Sequence, residues 1–350
     1  MIYARIKGAE LSPHIAAAAK LQPGLKNIGR LNDGRIVAIN ERRQLPEASM
    51  LLYRGHLIAA DSAVENVVVK IAPDRSSAVE VQSETYFLQK LEGVPGFPRI
   101  SGQGKVEIEG KGEQPFFVMP EINGISLGCL ALPEWRGQLP SREEISLLTE
   151  SVLPGLAARL GDLHARQIVH RDVKPNNALY RGQGEVVLLD FGRANGLNSP
   201  ARTDTGAVGF YPPEMAFALY LQEDVRTDVY GLGTSALTLI AGVNGLLYEG
   251  MDDPWRYTGL DRLMMLMTRE KMIENYYRAI SAREHFSVES VARQSNLPAE
   301  LKETPLGRYL ASLFHPDKAQ RPFNLPEIAD RLKALGGQFA SYELQSVEAE

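Results

Sequence analysis

Cysteine is nearly missing from this chain. Cys129 is the single one in 350 residues, so no disulfide can form within the chain, and a reducing cytosol suits it. Cys129 itself reads as a small apolar filler, with a redox-sensing thiol as the other reading. Long apolar runs are missing as well: nothing approaches the ~20 consecutive apolar residues that a bilayer requires. Ile15–Ala19 is too short for a signal core and has no basic leader before it. The expectation is a soluble, cytoplasmic protein with no membrane partner. Neither sign of charge dominates. Lys+Arg 38 stand against Asp+Glu 43 for a formal net charge of −5, which excludes a general nucleic-acid footprint of clustered basic surface. Internal repeats are absent too. What remains is the composition of an ordinary globular protein, 44% hydrophobic and 23% charged, with length enough for one or two domains around a large core.

Residues 1–24 show no clear period and end in the turn signal Gln22-Pro23-Gly24. Strand-like segments follow at Arg35–Ile39, Met50–Ala60 and Asn66–Ile71, the first preceded by the hairpin signal Asn32-Asp33-Gly34. Ser77 with Glu80 three residues later has the form of a capping box, predicting a helix to about Leu91 that stops before Gly93, Pro95 and Gly96. Two more strand-like segments lie at Arg99–Ile108 and Gln114–Met119. After Gly124 helices take over. A second capping box at Ser141 and Glu144 opens an amphipathic helix to about Ala165, interrupted by Pro154. Short strands fall near Asn177–Tyr180 and Glu185–Leu189, and helices continue to about Leu335.

Four short motifs stand in order along this frame. Val67-Val68-Val69-Lys70 ends a strand, and His170-Arg171-Asp172-Val173-Lys174-Pro175-Asn176-Asn177 follows a helix. Asp190-Phe191-Gly192 follows a strand, and Pro212-Pro213-Glu214 comes some twenty residues later. The set resembles the signature of eukaryotic-like (Hanks-type) serine/threonine protein kinases, over about residues 40 to 333. That resemblance implies an α+β, bilobal kinase-like fold: an N-terminal extension (1–24), a small, mainly antiparallel N-lobe with one long helix (25–121), a larger, mainly helical C-lobe (122–335) and a polar tail (336–350).

It also implies ATP and Mg2+ as cofactors and transfer of the γ-phosphoryl group to protein Ser or Thr, with autophosphorylation. The transition state spreads negative charge over phosphate oxygens, so catalysis is positioning and charge compensation. By resemblance, Asp190 and Asn177 supply the hard oxygen ligands that magnesium prefers. Asp172 orients or accepts the substrate hydroxyl proton. Lys174, two residues on in an extended segment, shares its side and meets the γ-phosphate. Lys70 meets the α- and β-phosphates, braced by a carboxylate of the long helix. Glu84 is the choice for that brace because it shares a stripe with Leu88 and Leu91, and Glu80 is the alternative.

Phe117 to Gly124 resembles the kinase hinge. Met119 is the gatekeeper, and the Pro120 carbonyl and Ile122 N–H are the adenine's partners. Asp228 in Asp228-Val229-Tyr230-Gly231-Leu232-Gly233 is implied to brace the catalytic-loop backbone, and Arg321 to pair with Glu214.

Two departures stand out. The glycines of a phosphate-binding loop are missing: their positions fall near Leu45, Glu47 and Met50, and the turn Pro46-Glu47-Ala48-Ser49 takes their place, with Ala48 and Ser49 as phosphate contacts. Ala207 stands where the family has a threonine, with Thr205 upstream as a substitute. Arg171 before Asp172 makes Ser199, Thr203 and Thr205 candidate phosphorylation sites. A pseudokinase scaffold or nucleotide sensor is the second reading, supported by these departures and opposed by Lys70, Asp172, Asn177 and Asp190. A small-molecule phosphotransferase is the third, opposed by Lys174-Pro175 and Pro212-Pro213-Glu214. Trp255, Tyr257, Tyr276 and Tyr277, within 251–305, read as core aromatics or a docking surface. The protein substrate and the oligomeric state are not encoded in these patterns.

Overall fold

The computed structural model of the chain describes residues 6–21, 25–45, 50–130, 141–200, 210, 212, 215, 224–241, 287–295, 297–315 and 317–347. It divides into two compact units, Met1–Asn123 with Asp190–Arg193, and Gly124–Leu189 with Ala194–Glu350. The boundary thus falls after Asn123, two residues later than the sequence pattern placed it.

The first unit is built on β1 (Ala9–Glu10), α1 (Pro13–Ala18), β2 (Lys26–Arg30), β3 (Ile36–Leu45), β4 (Leu51–Ile58), β5 (Val64–Ile71), α2 (Arg75–Lys90), β6 (Gly102–Ile108) and β7 (Gly112–Pro120). The strands form one antiparallel sheet in the order β1-β2-β3-β4-β5-β7-β6. Its two ends meet. Ile6 bridges Ile108, the Lys7 N–H donates to the Glu107 carbonyl at 2.8 Å, and Lys26 Nζ donates to the Ile6 carbonyl. The segment before β1 therefore covers the end of β6, which shortens the exposed edge that invites mispairing.

Alternation along the strands sorts the two faces. Val37, Ile39, Leu51, Tyr53, Val67, Val69, Ile71, Phe116 and Val118 fill the interior together with Ile6 and Ile28. The outer face carries Leu52, Val68, Lys70, Phe117 and Met119. Residues expected to be an appended extension are thus part of the unit. Ile6 closes the interior, and α1 sets Ala16 and Ala19 against Ile36, Ala38 and Ile58 of the outer face. No local period announced this, because the segment is held by long-range pairing.

Helix α2 starts earlier than expected. Its cap is Asp74, whose carboxylate accepts the Ser77 N–H at 3.0 Å and the Ser76 and Ser77 hydroxyls, in place of a Ser77–Glu80 box. An ionised oxygen one residue before the helix is the stronger acceptor for the orphan N–H groups. Those bonds hold the Asp74 carboxyl well below its usual range, at about 2. The strand expected from Arg99 begins only at Gly102.

The second unit contains β8 (Ile125–Ser126), α3 (Leu127–Leu130), α4 (Arg142–Leu147), α5 (Leu153–His164), β9 (Ile168–Val169), β10 (Ala178–Tyr180), β11 (Val186–Leu188), β12 (Asn195–Gly196), α6 (Arg226–Ala241), α7 (Val288–Gln294), α8 (Ala299–Lys302), α9 (Pro305–Leu313) and α10 (Leu325–Val347). The Ser141–Glu144 box is present, with both of its hydrogen bonds. The interruption at Pro154 takes the form of a wider turn over Leu148–Val152, where the helical ladder admits a residue with no N–H to give. Leu153, Leu156, Leu160 and Leu163 of α5 are fully buried. Helix α6 is buried all round from Thr227 to Ile240, and Thr234 and Thr238 return their hydroxyls to carbonyls one turn back.

Two expectations fail in this unit. Helix α10 runs through Gly336-Gly337 to Val347 rather than ending near Leu335. Gly336 is there for close approach, since a Cβ would collide with the Thr149 side chain. Cys129 is exposed, not a filler, because it lies on the open side of the one-turn α3 while Leu127 takes the buried side. Among the described residues no helix is long and apolar enough to cross a membrane.

Candidate active site

Within the first unit, three charged side chains from separate elements meet. Lys70 near the end of β5 places Nζ 2.7 Å from Oε2 of Glu84 on α2 and 2.8 Å from Oδ1 of Asp190. Asp190 accepts a hydrogen bond from the Lys70 ammonium, and Glu84 holds the same ammonium by charge at close range. Lys70 and Glu84 are buried, and the Asp190 side chain keeps 28% of its surface exposed. Burial works against the Lys70 charge, but Asp190 and Glu84 outweigh it and hold the ammonium above the usual lysine range. Burial pushes the Glu84 carboxyl up from its usual range, with Lys70 opposing and Asp190 adding to the rise. Glu84 rather than Glu80 faces Lys70, while the Glu80 backbone lies beside Gly192. Phe191 is fully buried edge-on to Phe97, with centroids 5.8 Å apart, which seats the segment carrying Asp190. Asp190 has a left-handed backbone, φ 63°, a strained setting for a non-glycine residue.

Val68 and Leu52, beside Lys70 on the outer face, form with Met119 an apolar platform. The sequence reading missed Leu52 and Val68; the two-residue spacing from Lys70 is the signal that finds Val68. Pro120 closes β7 opposite Val67, a strand end where one missing N–H costs the ladder little. The Glu121 N–H continues the pairing to the Asn66 carbonyl at 2.9 Å, and Ile122 follows. Residues 46–49, with Ala48 and Ser49, lie outside the described residues. So do Thr203, Thr205, Ala207, Glu214 and the aromatics of 251–286.

In the second unit the loop 170–177 is held from beneath. Asp228, fully buried at the start of α6, accepts the His170 N–H on Oδ2 and the Arg171 N–H on Oδ1, each at 2.8 Å. His164 Nε2 lies 2.8 Å from the same Oδ2. Burial pushes the Asp228 carboxyl up, but the His164 bond, the neighbouring imidazoles and the backbone N–H more than offset it, leaving it below the usual range. His164 was not foreseen, and nothing in its spacing marks it. Gly231 lets α6 press on the loop, since a Cβ there would stand 2.7 Å from Val173 Cβ. On this base Lys174 Nζ sits 2.7 Å from Asp172 Oδ2, and Asn177 Nδ2 donates to the Asp172 carbonyl at 2.8 Å and to Oδ2 at 3.1 Å. The Asn177 amide nitrogen is thus committed to Asp172, and the amide oxygen is the end that can meet a metal. Arg171 has φ 68°. Arg321, 2% exposed, donates to the His315 and Arg226 carbonyls and stacks on Tyr230.

A carboxylate beside a buried Lys–Glu pair, and an aspartate set between a lysine and an asparagine, are parts suited to phosphoryl transfer. The wider comparison agrees. Residues 63–323 match the protein kinase domain. The serine/threonine-protein kinase PknL of Mycobacterium tuberculosis is 32% identical over 202 residues, 55% of this chain and 46% of that protein. PknA of the same species is 31% identical over 160 residues, 45% of this chain and 35% of that protein. A probable serine/threonine-protein kinase PknB of Lactococcus lactis is 28% identical over 173 residues, 48% of this chain and 25% of that protein. The chain thus matches less than half the length of these relatives. The motifs, the bonded side chains and the extent of the match lead to one conclusion: this chain belongs to the protein kinase family, with serine/threonine kinases as its relatives.

Proposed function

We propose that this chain is a serine/threonine protein kinase that uses ATP and magnesium to phosphorylate protein hydroxyls, itself included, in the cytoplasm. The observation that carries the reading is the Lys70 ammonium held between Glu84 and Asp190, a buried cation fixed by two carboxylates from different elements. Selection for a scaffold alone gives no reason to keep that arrangement beside Asp172, Lys174 and Asn177. In this reading Lys70 binds the α- and β-phosphates, and Glu84 keeps its side chain extended. Leu52, Val68 and Met119 take the adenine face, while the Pro120 carbonyl and Ile122 N–H take its polar edge. Ala48 and Ser49 meet the phosphates.

Asp190 and Asn177 offer a carboxylate and an amide oxygen, the hard donors that suit magnesium, and would hold it. Bound magnesium supplies positive charge to the phosphate oxygens. Asp172 takes the hydroxyl proton of the substrate on its carboxylate. Lys174 and Asn177 fix that carboxylate's direction, and Lys174 offsets charge on the transferring group.

The test is transfer of labelled phosphate to the protein itself and to a generic protein substrate, with Asp172→Ala as control. Incorporation by the parent chain and loss in the variant are expected. Equal incorporation by both would assign the activity elsewhere, and none in either would favour a scaffold.

A further inference from the structure

The outer face of the first unit is an ordered grid. Across β4, β5 and β7, one rung reads Leu52–Lys70–Phe117, the next Arg54–Val68–Met119 and the next His56–Asn66, with Glu121 continuing the pairing opposite Asn66. The first two rungs hold the apolar platform, and the third is polar. Arg54 reaches diagonally across it: its Nε donates to Glu121 Oε1 at 2.7 Å, while His56 Nδ1 lies 3.1 Å from Asn66 Oδ1. Glu121 sits between Pro120 and Ile122, the two groups assigned to the polar edge of the base. Both side chains keep solvent contact, 53% for Arg54 and 31% for Glu121, so the pair adds little to stability.

We propose that Arg54 is a base-specificity residue: by occupying the Glu121 carboxylate it keeps the site selective for adenine over guanine. This rests on the nucleotide reading above and deepens it. Adenine offers one amino donor and a bare ring nitrogen on its pairing edge. Guanine offers a ring N–H and a 2-amino group, two donors side by side. A carboxylate left unpaired beside the hinge would accept from those donors and reward guanine. With Oε1 taken and its charge offset by the Arg54 guanidinium, it rewards those donors much less. Arg54 thereby denies the wrong base a partner, which is how discrimination is gained without improving the right one.

The experiment measures affinities of the full chain for magnesium ATP and magnesium GTP by calorimetry, in the parent, Arg54→Gln, Arg54→Lys, Glu121→Gln and the Arg54→Gln/Glu121→Gln double variant. Arg54→Gln should lower the ATP/GTP affinity ratio about tenfold, the scale of one hydrogen bond to a charged group, mainly by tightening GTP. Arg54→Lys should keep the parent ratio, and the double variant should return to it, since the effect needs a free carboxylate. Thermal unfolding of the same samples should move little. An unchanged ratio in Arg54→Gln, or a ratio still relaxed in the double variant, overturns the proposal. Failure of the parent chain to take up ATP overturns the nucleotide reading beneath it instead.

Discussion

The two sets of charged residues are built on opposite plans. Lys70 and Glu84 come from a strand and the helix that follows it, Asp190 from a segment far along the chain, and the three meet through their side chains. Asp172, Lys174 and Asn177 come from one loop, whose backbone is bonded to Asp228. The first set depends on where α2 lies, and the second on a buried anchor. Damage to the first should therefore appear in nucleotide affinity, and damage to the second in turnover or in stability.

The largest effect is expected at Asp172. Asp172→Asn keeps the shape of the loop and removes the proton acceptor, so turnover should fall by about 10²–10⁴-fold with ATP affinity nearly unchanged. Steady-state kinetics beside calorimetry checks the split. Asp228→Ala comes next. It strips the His170 and Arg171 N–H groups and His164 of a buried acceptor, costing about 3–5 kcal/mol in denaturant unfolding. The depressed Asp228 pKa stabilises the fold at pH above the ordinary carboxylate range, and that stability is lost as pH falls through the folded value. Asp228→Asn should therefore flatten the acid limb of the stability profile.

Glu84→Gln should weaken ATP about tenfold, with turnover at saturation less affected. Its pH signature has the opposite sign. Burial raises the Glu84 carboxyl, so the folded state holds the proton more tightly, and the group's contribution is present at low pH and lost as pH rises through the raised value. Denaturation midpoints at about pH 5 and about pH 8 should differ less in Glu84→Gln than in the parent. The smallest effect belongs to the cap of α2. Asp74→Ala should cost about 1 kcal/mol, read in thermal unfolding, with a slight loss of ATP affinity because α2 carries Glu84.

The same contrast marks what the sequence could carry. Lys70, Asp172, Asn177, Asp190 and Asp228 stood out in the sequence because they fall in ordered motifs that resemble the protein kinase signature, and the Ser141–Glu144 box because it is a local pattern. Other features depend on partners far along the chain. Ile6 joins the interior of the sheet beside a bridge to Ile108, and Gly336 is explained by Thr149 rather than by its neighbours. Arg54 meets Glu121 only once strand register is known. Asp74 was hidden for a different reason, since two serines after it offered a second plausible cap.

The central claim is that a Lys70 ammonium fixed by Glu84 and Asp190 receives the phosphates of ATP. Calorimetry of magnesium ATP with the parent chain and with Lys70→Met tests it most directly. Saturable, metal-dependent uptake by the parent and its loss in Lys70→Met, with the variant still folded by circular dichroism, is the predicted result. Equal uptake by both, or none by the parent, would contradict it.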